Sequence, residues 1–320
     1  MYGHNLLVEN VIDPSHMHFA HHGVQGNRDA VKPLRITRLR AKGGGQPAPL
    51  QFEVQSLGVP PGSGKRNLDL IFPTAVIYCY GSLGKGALPS LVATTYCTST
   101  SPGRCRLLGQ SFRRHGQEAL GDWKRLLLRR LATILNGGKQ PVWFFHLESN
   151  ELLDGDMTLL HNQGHTMERM RKVRGELKHQ DIYYLAAGAD RAVVDLLEWY
   201  HDPARGGGGR RGPGGELLTD GPEKTREEVI LDRYEQHTRH CRSCSGALHV
   251  VESLKPIAQW ALVILAATFF SLAFRAGFGV AVLSQGWPLI LCAVVCVFTV
   301  QLLTGIHRRL RFTPYEHHSR

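Results

Sequence analysis

Four histidines fall within seven residues near the start of the chain, His16, His18, His21 and His22, shortly after Asn10 and Asp13. The stretch reads N-x2-D-x2-H-x4-H, with Asn10, Asp13, His16 and His21 in register. Two neutral imidazoles and one carboxylate on one face of a metal leave open positions, which a non-heme Fe(II) centre needs to bind dioxygen beside a substrate. Geometry makes this pair demanding, because residues five apart on a regular helix point about 140° apart. A His-x4-His pair therefore needs a helix end, a bulge or a distorted turn. His18 and His22, spaced i, i+4, would chelate more easily on a regular helix. The zinc-protease pattern HExxH fails for want of a glutamate after His18, and a merely solvated histidine patch is the bland alternative. Pro14 suits the first turn of a helix with Asp13 as its cap.

The third ligand must come from elsewhere. Residues 147–171 read as a long helix, and Asp154 and Asp156 lie in it together with Leu160 and Gln163. By themselves the two acids are also what a helix dipole favours near an N-terminus. A further cluster is Cys241-x2-Cys244, with His237 and His240 just before it. Cys-x2-Cys with histidines this close makes poor tetrahedral geometry for zinc. A redox dithiol also fits the CxxC pattern, flanked by Arg239 and Arg242, whose charge would lower a thiol pKa, beside the bland reading of an exposed dithiol. No cysteine has a histidine two or three residues after it, so the C-x-H and C-x2-H ligands of a Rieske [2Fe–2S] centre are absent from these 320 residues.

The elements that must position these groups form an α+β pattern. Residues 75–80, 94–98 and 105–112 cluster apolar and β-branched residues as strands do, and Ser101-Pro102-Gly103 supplies a turn. Helical periodicity over 117–135 stops at Asn136-Gly137-Gly138. Residues 41–49 and 205–215 are Gly-rich insertions too poor in apolar groups to fold. Two apolar runs, 257–274 and 287–306, each approach the ~20 residues a helix needs to cross ~30 Å of hydrocarbon. Arg275, three glycines and Gln285 read as the linker of a helical hairpin, and Lys255 and His307-Arg308-Arg309 place both outer ends on one side. The expected organisation is a catalytic domain over 1–200, a Gly/Arg-rich insertion over 201–228, a CxxC segment over 229–256, a transmembrane hairpin over 257–306 and a basic tail over 307–320. Lysine and arginine outnumber the acids 38 to 27, for a formal charge of +11. Without basic tracts interleaved with aromatics, that excess does not point to nucleic acid. Seven cysteines, an odd number at irregular spacing, do not form a disulfide framework.

Residues 10–21 resemble the mononuclear-iron motif of Rieske oxygenase catalytic domains. Asp156 with Leu160 and Gln163 is similar to the D-x3-L-x2-Q segment that supplies the carboxylate ligand there. Leu153-Asp154-Gly155-Asp156-Met157 with Leu160-His161 resembles the pheophorbide a oxygenase family in particular. So do Ser101-Pro102-Gly103-x-Cys105-Arg106 and Leu231-Asp232-Arg233-Tyr234-x2-His237-x3-Cys241-x2-Cys244 followed by a hydrophobic hairpin. The resemblance runs from Tyr2 to about Tyr315, outside the two insertions. It implies His16, His21 and Asp156 as ligands of a mononuclear Fe(II), with Asp154 as the alternative carboxylate. It further implies Asn10 beside the iron, and Asp13 linking a ligand histidine to the Rieske cluster of a neighbouring subunit in a homo-oligomer. Cys241 and Cys244 become a regulatory dithiol addressed by thioredoxin.

The resemblance also implies a helix-grip α+β fold with a curved antiparallel sheet, and a place in a chloroplast membrane, thylakoid or inner envelope. The reaction is oxygenation of a chlorophyll-derived tetrapyrrole with O2 and electrons from reduced ferredoxin. Those electrons pass through a [2Fe–2S] domain whose ligands this sequence lacks, so a truncated gene and an inactive isolated chain are expected. The competing expectations are a non-catalytic, membrane-anchored, redox-responsive translocon-associated protein, and a metal-storage protein that binds through His18 and His22.

Overall fold

The computed structural model describes residues 2–22, 26–39, 49–58, 65–72, 74–81, 89–113, 140–175, 179–201, 225–275 and 280–313. The expected helix over 117–135 and the insertions at 41–48 and 205–215 lie outside them. In chain order the main elements are α1 (His4–Ile12), α2 (His16–Ala20), β1 (Leu34–Leu39), β2 (Leu50–Ser56), β3 (Lys65–Ile71), β4 (Ala75–Tyr80), β5 (Leu91–Ser101) and β6 (Arg104–Arg113). Then follow α3 (Val142–Arg174), α4 (Arg191–His201), α5 (Arg242–Arg275) and α6 (Val280–Arg311). Contacts divide the chain into two units, Met1–Gly121 with Gly155–Ile230, and Asp122–Asp154 with Leu231–Arg320.

The first unit is α+β. Its six strands pair antiparallel in sequence order, β1-β2-β3-β4-β5-β6, forming a curved meander. Alternation along β2 turns Leu50, Phe52 and Val54 to one face, where the register sets Phe52 opposite Leu68 and Leu50 opposite Leu70. All five are buried, as expected of a strand with one covered face. The helices α1 and α4 cover that face: α1 contributes Leu7, Val8 and Ile12 to the same core, and α4 contributes Val193, Leu196 and Trp199. Trp199 stacks on Phe72 with ring centroids 3.7 Å apart. Asp195, on the same helix, is buried between Arg191 (2.7 Å) and Arg38 (3.3 Å). The β5–β6 hairpin closes at Pro102-Gly103, where φ of +65° at Gly103 is a conformation L side chains rarely adopt.

The second unit holds the start of α3 and the two long helices. Both α5 and α6 are long and apolar enough to cross a membrane, and almost none of either apolar window is buried. The helices exceed the apolar runs: α5 begins fifteen residues before position 257 and takes in Cys244, and α6 begins at Val280, so Gln285 is helical rather than part of a linker. A polar residue or glycine does not stop a helix whose backbone bonds are all internal. The outer ends of the pair are fastened together. Phe312 bridges to Asp232, the Thr313 amide donates to the Leu231 carbonyl (3.0 Å), and the Thr238 hydroxyl donates to the Leu310 carbonyl (2.6 Å).

Candidate functional site

The histidine-rich stretch is two helices and a corner. Helix α1 ends at Ile12, and Asp13 takes an extended backbone (φ −86°, ψ 105°). Its carboxylate accepts the Ser15 amide at 2.7 Å, a local Asx turn that bends the chain through Pro14. The expectation that Asp13 caps a helix begun by Pro14 is corrected by this: α2 starts at His16 with Ser15 before it, and Asp13 closes α1 instead. The α2 helix lasts five residues, and His21 has already left it (φ −108°, ψ 29°). That exit meets the requirement of the five-residue spacing. The His16 and His21 rings meet edge-on with centroids 5.2 Å apart. Gly26 holds the corner, its amide donating to the His21 carbonyl at 2.9 Å. A Cβ there would fall 2.1 Å from the Met17 carbonyl oxygen, so only glycine fits this approach.

Helix α3 brings Asp156 to the same point. Its Oδ2 lies 3.2 Å from His21 Nε2 and 3.8 Å from His16 Nε2. The Asn10 amide of α1 donates to that oxygen at 2.9 Å. One donor atom from each of His16, His21 and Asp156 lies within 4.8 Å of the others, and His21 and Asp156 are buried. Gly155 lets the helix come this close, since a Cβ on it would stand 3.2 Å from the Ala20 carbonyl oxygen. Asp154, two residues away and about 200° round the helix, is not in this group. It forms a buried ion pair with Arg233, which also donates to Thr313 Oγ1 at 3.2 Å. His18 and His22 do not converge either: His22 Nδ1 accepts the Arg28 amide at 3.2 Å.

The donors suit a divalent iron by their chemistry. His16 Nδ1 is bonded to the Asp13 carbonyl, which keeps the proton on Nδ1 and leaves the Nε2 lone pair directed at Asp156. Behind the group, Gln163 donates to Tyr183 Oη at 2.8 Å and to Glu9 at 3.4 Å, and Tyr183 donates to Glu9 at 3.2 Å. Burial pushes the Glu9 carboxyl up to about 7, against the lowering effect of those two bonds. Gln163 thus belongs to a support network, and Glu9, Tyr183, Gly26 and Gly155 are residues that spacing arguments pass over. The local glycines were the available signal for two of them.

The Cys241-x2-Cys244 pair lies in the second unit with a partner from far along the chain. His146 of α3 sets Nδ1 3.4 Å from Cys241 Sγ and 3.5 Å from Cys244 Sγ. His237 Nε2 lies 3.4 Å from Cys244 Sγ and 3.2 Å from His146 Nδ1. His240 turns away to accept from Arg239 Nε at 3.0 Å. Burial lowers the imidazole pKa of His146; burial together with the charges of His146, Arg233 and His240 takes that of His237 to about 4.

Residues 62–174 match the pheophorbide a oxygenase family, a span that contains Asp156. Chloroplastic pheophorbide a oxygenase of Oryza sativa subsp. japonica is 29% identical over 285 residues, 83% of this chain and 48% of that protein. Protochlorophyllide-dependent translocon component 52 of Arabidopsis thaliana is 25% identical over 301 residues (81% and 48%). Flavonoid 8-hydroxylase 2 of Ocimum basilicum is 26% identical over 269 residues (79% and 45%). The chain therefore spans about half the length of the curated relatives it matches. No solved structure matches it significantly. Over about four-fifths of its length the chain is thus similar to chloroplastic pheophorbide a oxygenases and to related chloroplastic proteins.

Proposed function

We propose that this chain is the catalytic half and membrane anchor of an oxygenase in which His16, His21 and Asp156 hold one Fe(II). The substrate is a chlorophyll-derived tetrapyrrole. The observation that carries the reading is the meeting of two imidazoles and one carboxylate from segments 135 or more residues apart, with no fourth donor in the group among the described residues. A bound iron supplies the binding and reduction of O2 beside the substrate. The chain's own residues do the rest. The Asp13 carbonyl sets the tautomer of His16, the Asn10 amide fixes the carboxylate of Asp156, and α1 and α4 on the sheet form the helix-grip frame. Reduced ferredoxin would be the electron source, by way of a [2Fe–2S] domain whose ligand pattern does not occur among these 320 residues. In an oligomer Asp13 would link His16 to that domain of a neighbouring subunit, its backbone carbonyl already bonded to the His16 ring. The two apolar helices would anchor the chain in a chloroplast membrane, where a hydrophobic macrocycle dissolves.

The test is iron content of the detergent-solubilised chain after anaerobic Fe(II) loading. About one iron per site is expected of a three-ligand centre, lost in each of His16→Ala, His21→Ala and Asp156→Ala and kept in His18→Ala. Iron that survives all three substitutions, or none bound at all, sinks the catalytic reading and leaves a membrane-anchored protein without this chemistry.

A further inference from the structure

We propose that His146, His237, Cys241 and Cys244 form a closed, structural Zn(II) site that staples the start of α3 to the base of the apolar helix pair. Four donor atoms, two imidazole nitrogens and two sulfurs, lie within 4.8 Å of one another. The three separations from His146 Nδ1 and that between His237 Nε2 and Cys244 Sγ run from 3.2 to 3.5 Å, and the two remaining, both from Cys241 Sγ, are within 4.8 Å. Zn–N bonds of ~2.0–2.1 Å and Zn–S bonds of ~2.3 Å place tetrahedral donors about 3.3–3.8 Å apart. The side chains thus already stand where one ion would hold them. Two ring nitrogens 3.2 Å apart repel through their lone pairs unless a proton or a cation lies between them, and the adjoining sulfurs leave room for the cation.

Chemistry and position agree with that geometry. Neutral imidazole and thiolate are the ligands zinc prefers, and four protein donors with no carboxylate among them make a closed site rather than a catalytic one. Binding releases the two thiol protons to solvent. Cys244 is 1% exposed and belongs to a small cluster with Leu147, Leu248 and Leu310. Cys241 is half-buried and Cys244 buried, so the pair is held with one sulfur inside the cluster and one at its edge. The site is also too tight for a [2Fe–2S] centre, which also takes two cysteines and two histidines. In such a centre each pair sits on its own iron, with two irons and their bridging sulfides between the pairs, whereas here both sulfurs touch His146. The sequence showed three of the four ligands, because the fourth, His146, lies 91 residues before His237.

The test uses the full chain in detergent, purified under reductant, stripped with a chelator and reloaded with Zn(II) or Co(II). About one zinc per closed four-ligand site is expected, retained when His16, His21 and Asp156 are all changed to alanine. The Co(II) form should show intense tetrahedral d–d bands together with sulfur-to-cobalt charge transfer. Cys241→Ser, Cys244→Ser, His146→Ala and His237→Ala should each reduce zinc retention at least tenfold. Cys241→His keeps four donors, so it should retain zinc and lose part of the charge-transfer intensity, which separates ligand loss from misfolding. Failure of the reduced parent chain to hold Zn(II) overturns the proposal, whatever the variants do. A 241–244 disulfide with no zinc after gentle purification restores the redox dithiol, and acid-labile sulfide with two irons would assign a cluster instead. Because the first site is disabled in the retention assay, failure here leaves the iron reading untouched.

Discussion

Asp154 and Asp156 differ by two positions and have different environments. Asp156 faces two imidazoles and the Asn10 amide, while Asp154 neutralises buried Arg233. Removing one partner of a buried pair strands the other charge, which costs about 3–5 kcal/mol. Asp154→Ala should therefore lower the melting temperature sharply yet leave iron stoichiometry unchanged. Asp156→Ala should do the reverse. Replacing Arg233 with methionine in the Asp154→Ala background should recover much of the loss, and the three melting curves check this. Glu9 makes a pH prediction. Its folded pKa, about 7, stands above the ordinary 4.5, so between these values the unfolded chain sheds a proton that the folded chain keeps. Folding stability contributed by Glu9 is full below about pH 4.5 and falls as pH rises towards about 7. Glu9→Gln should gain on the parent over that window and hold a constant lead above it. Thermal melts at stepped pH would show a flat difference if the carboxyl titrates normally.

At the scale of elements, the site depends on where short helices stop and how closely two of them approach. The α2 helix must end at Ala20 for His21 to turn towards Asp156, and Gly26 secures that corner from below. Gly26→Ala drives a methyl into the Met17 carbonyl, so it should displace α2 and cut iron retention at least tenfold. Far-UV circular dichroism should barely change, since the sheet and α3 do not rest on Gly26. The strands over 75–80, 94–98 and 105–112 were legible because β-branched runs and a Pro-Gly turn mark them, although β5 and β6 run longer. Strands β1 to β3 were not read. Leu34–Leu39 and Lys65–Ile71 are interrupted by charged residues at exposed or half-buried positions, and only sheet pairing shows that Leu68 and Leu70 face a core. Helix α4 carries its apolar face in its own periodicity, and the structure adds that Leu196 and Trp199 of that face meet the sheet.

The whole molecule has two sets of demands on it, an α+β unit with its apolar side chains turned into a core and a pair of helices whose apolar side chains are exposed. Ile264 and Val295 sit near the middle of the apolar runs and are 63% and 57% exposed. Lipid is the solvent that makes such exposure favourable. Arginine at a helix centre costs about 2.5–3.5 kcal/mol on insertion, so Ile264→Arg with Val295→Arg should release into alkaline carbonate a chain that otherwise stays with the membrane pellet. Equal extraction of parent and variant would argue against a spanning hairpin. The apolar length of these helices, the presence of a histidine and carboxylate chemistry, and the family likeness were all determined by the sequence, because each depends on residue types at short spacing. Tertiary structure alone decided which carboxylate joins the histidines, that His18 and His22 stay apart, and that His146 joins the cysteines. Those outcomes depend on helix phase and on approach between distant segments, and local spacing carries information about neither.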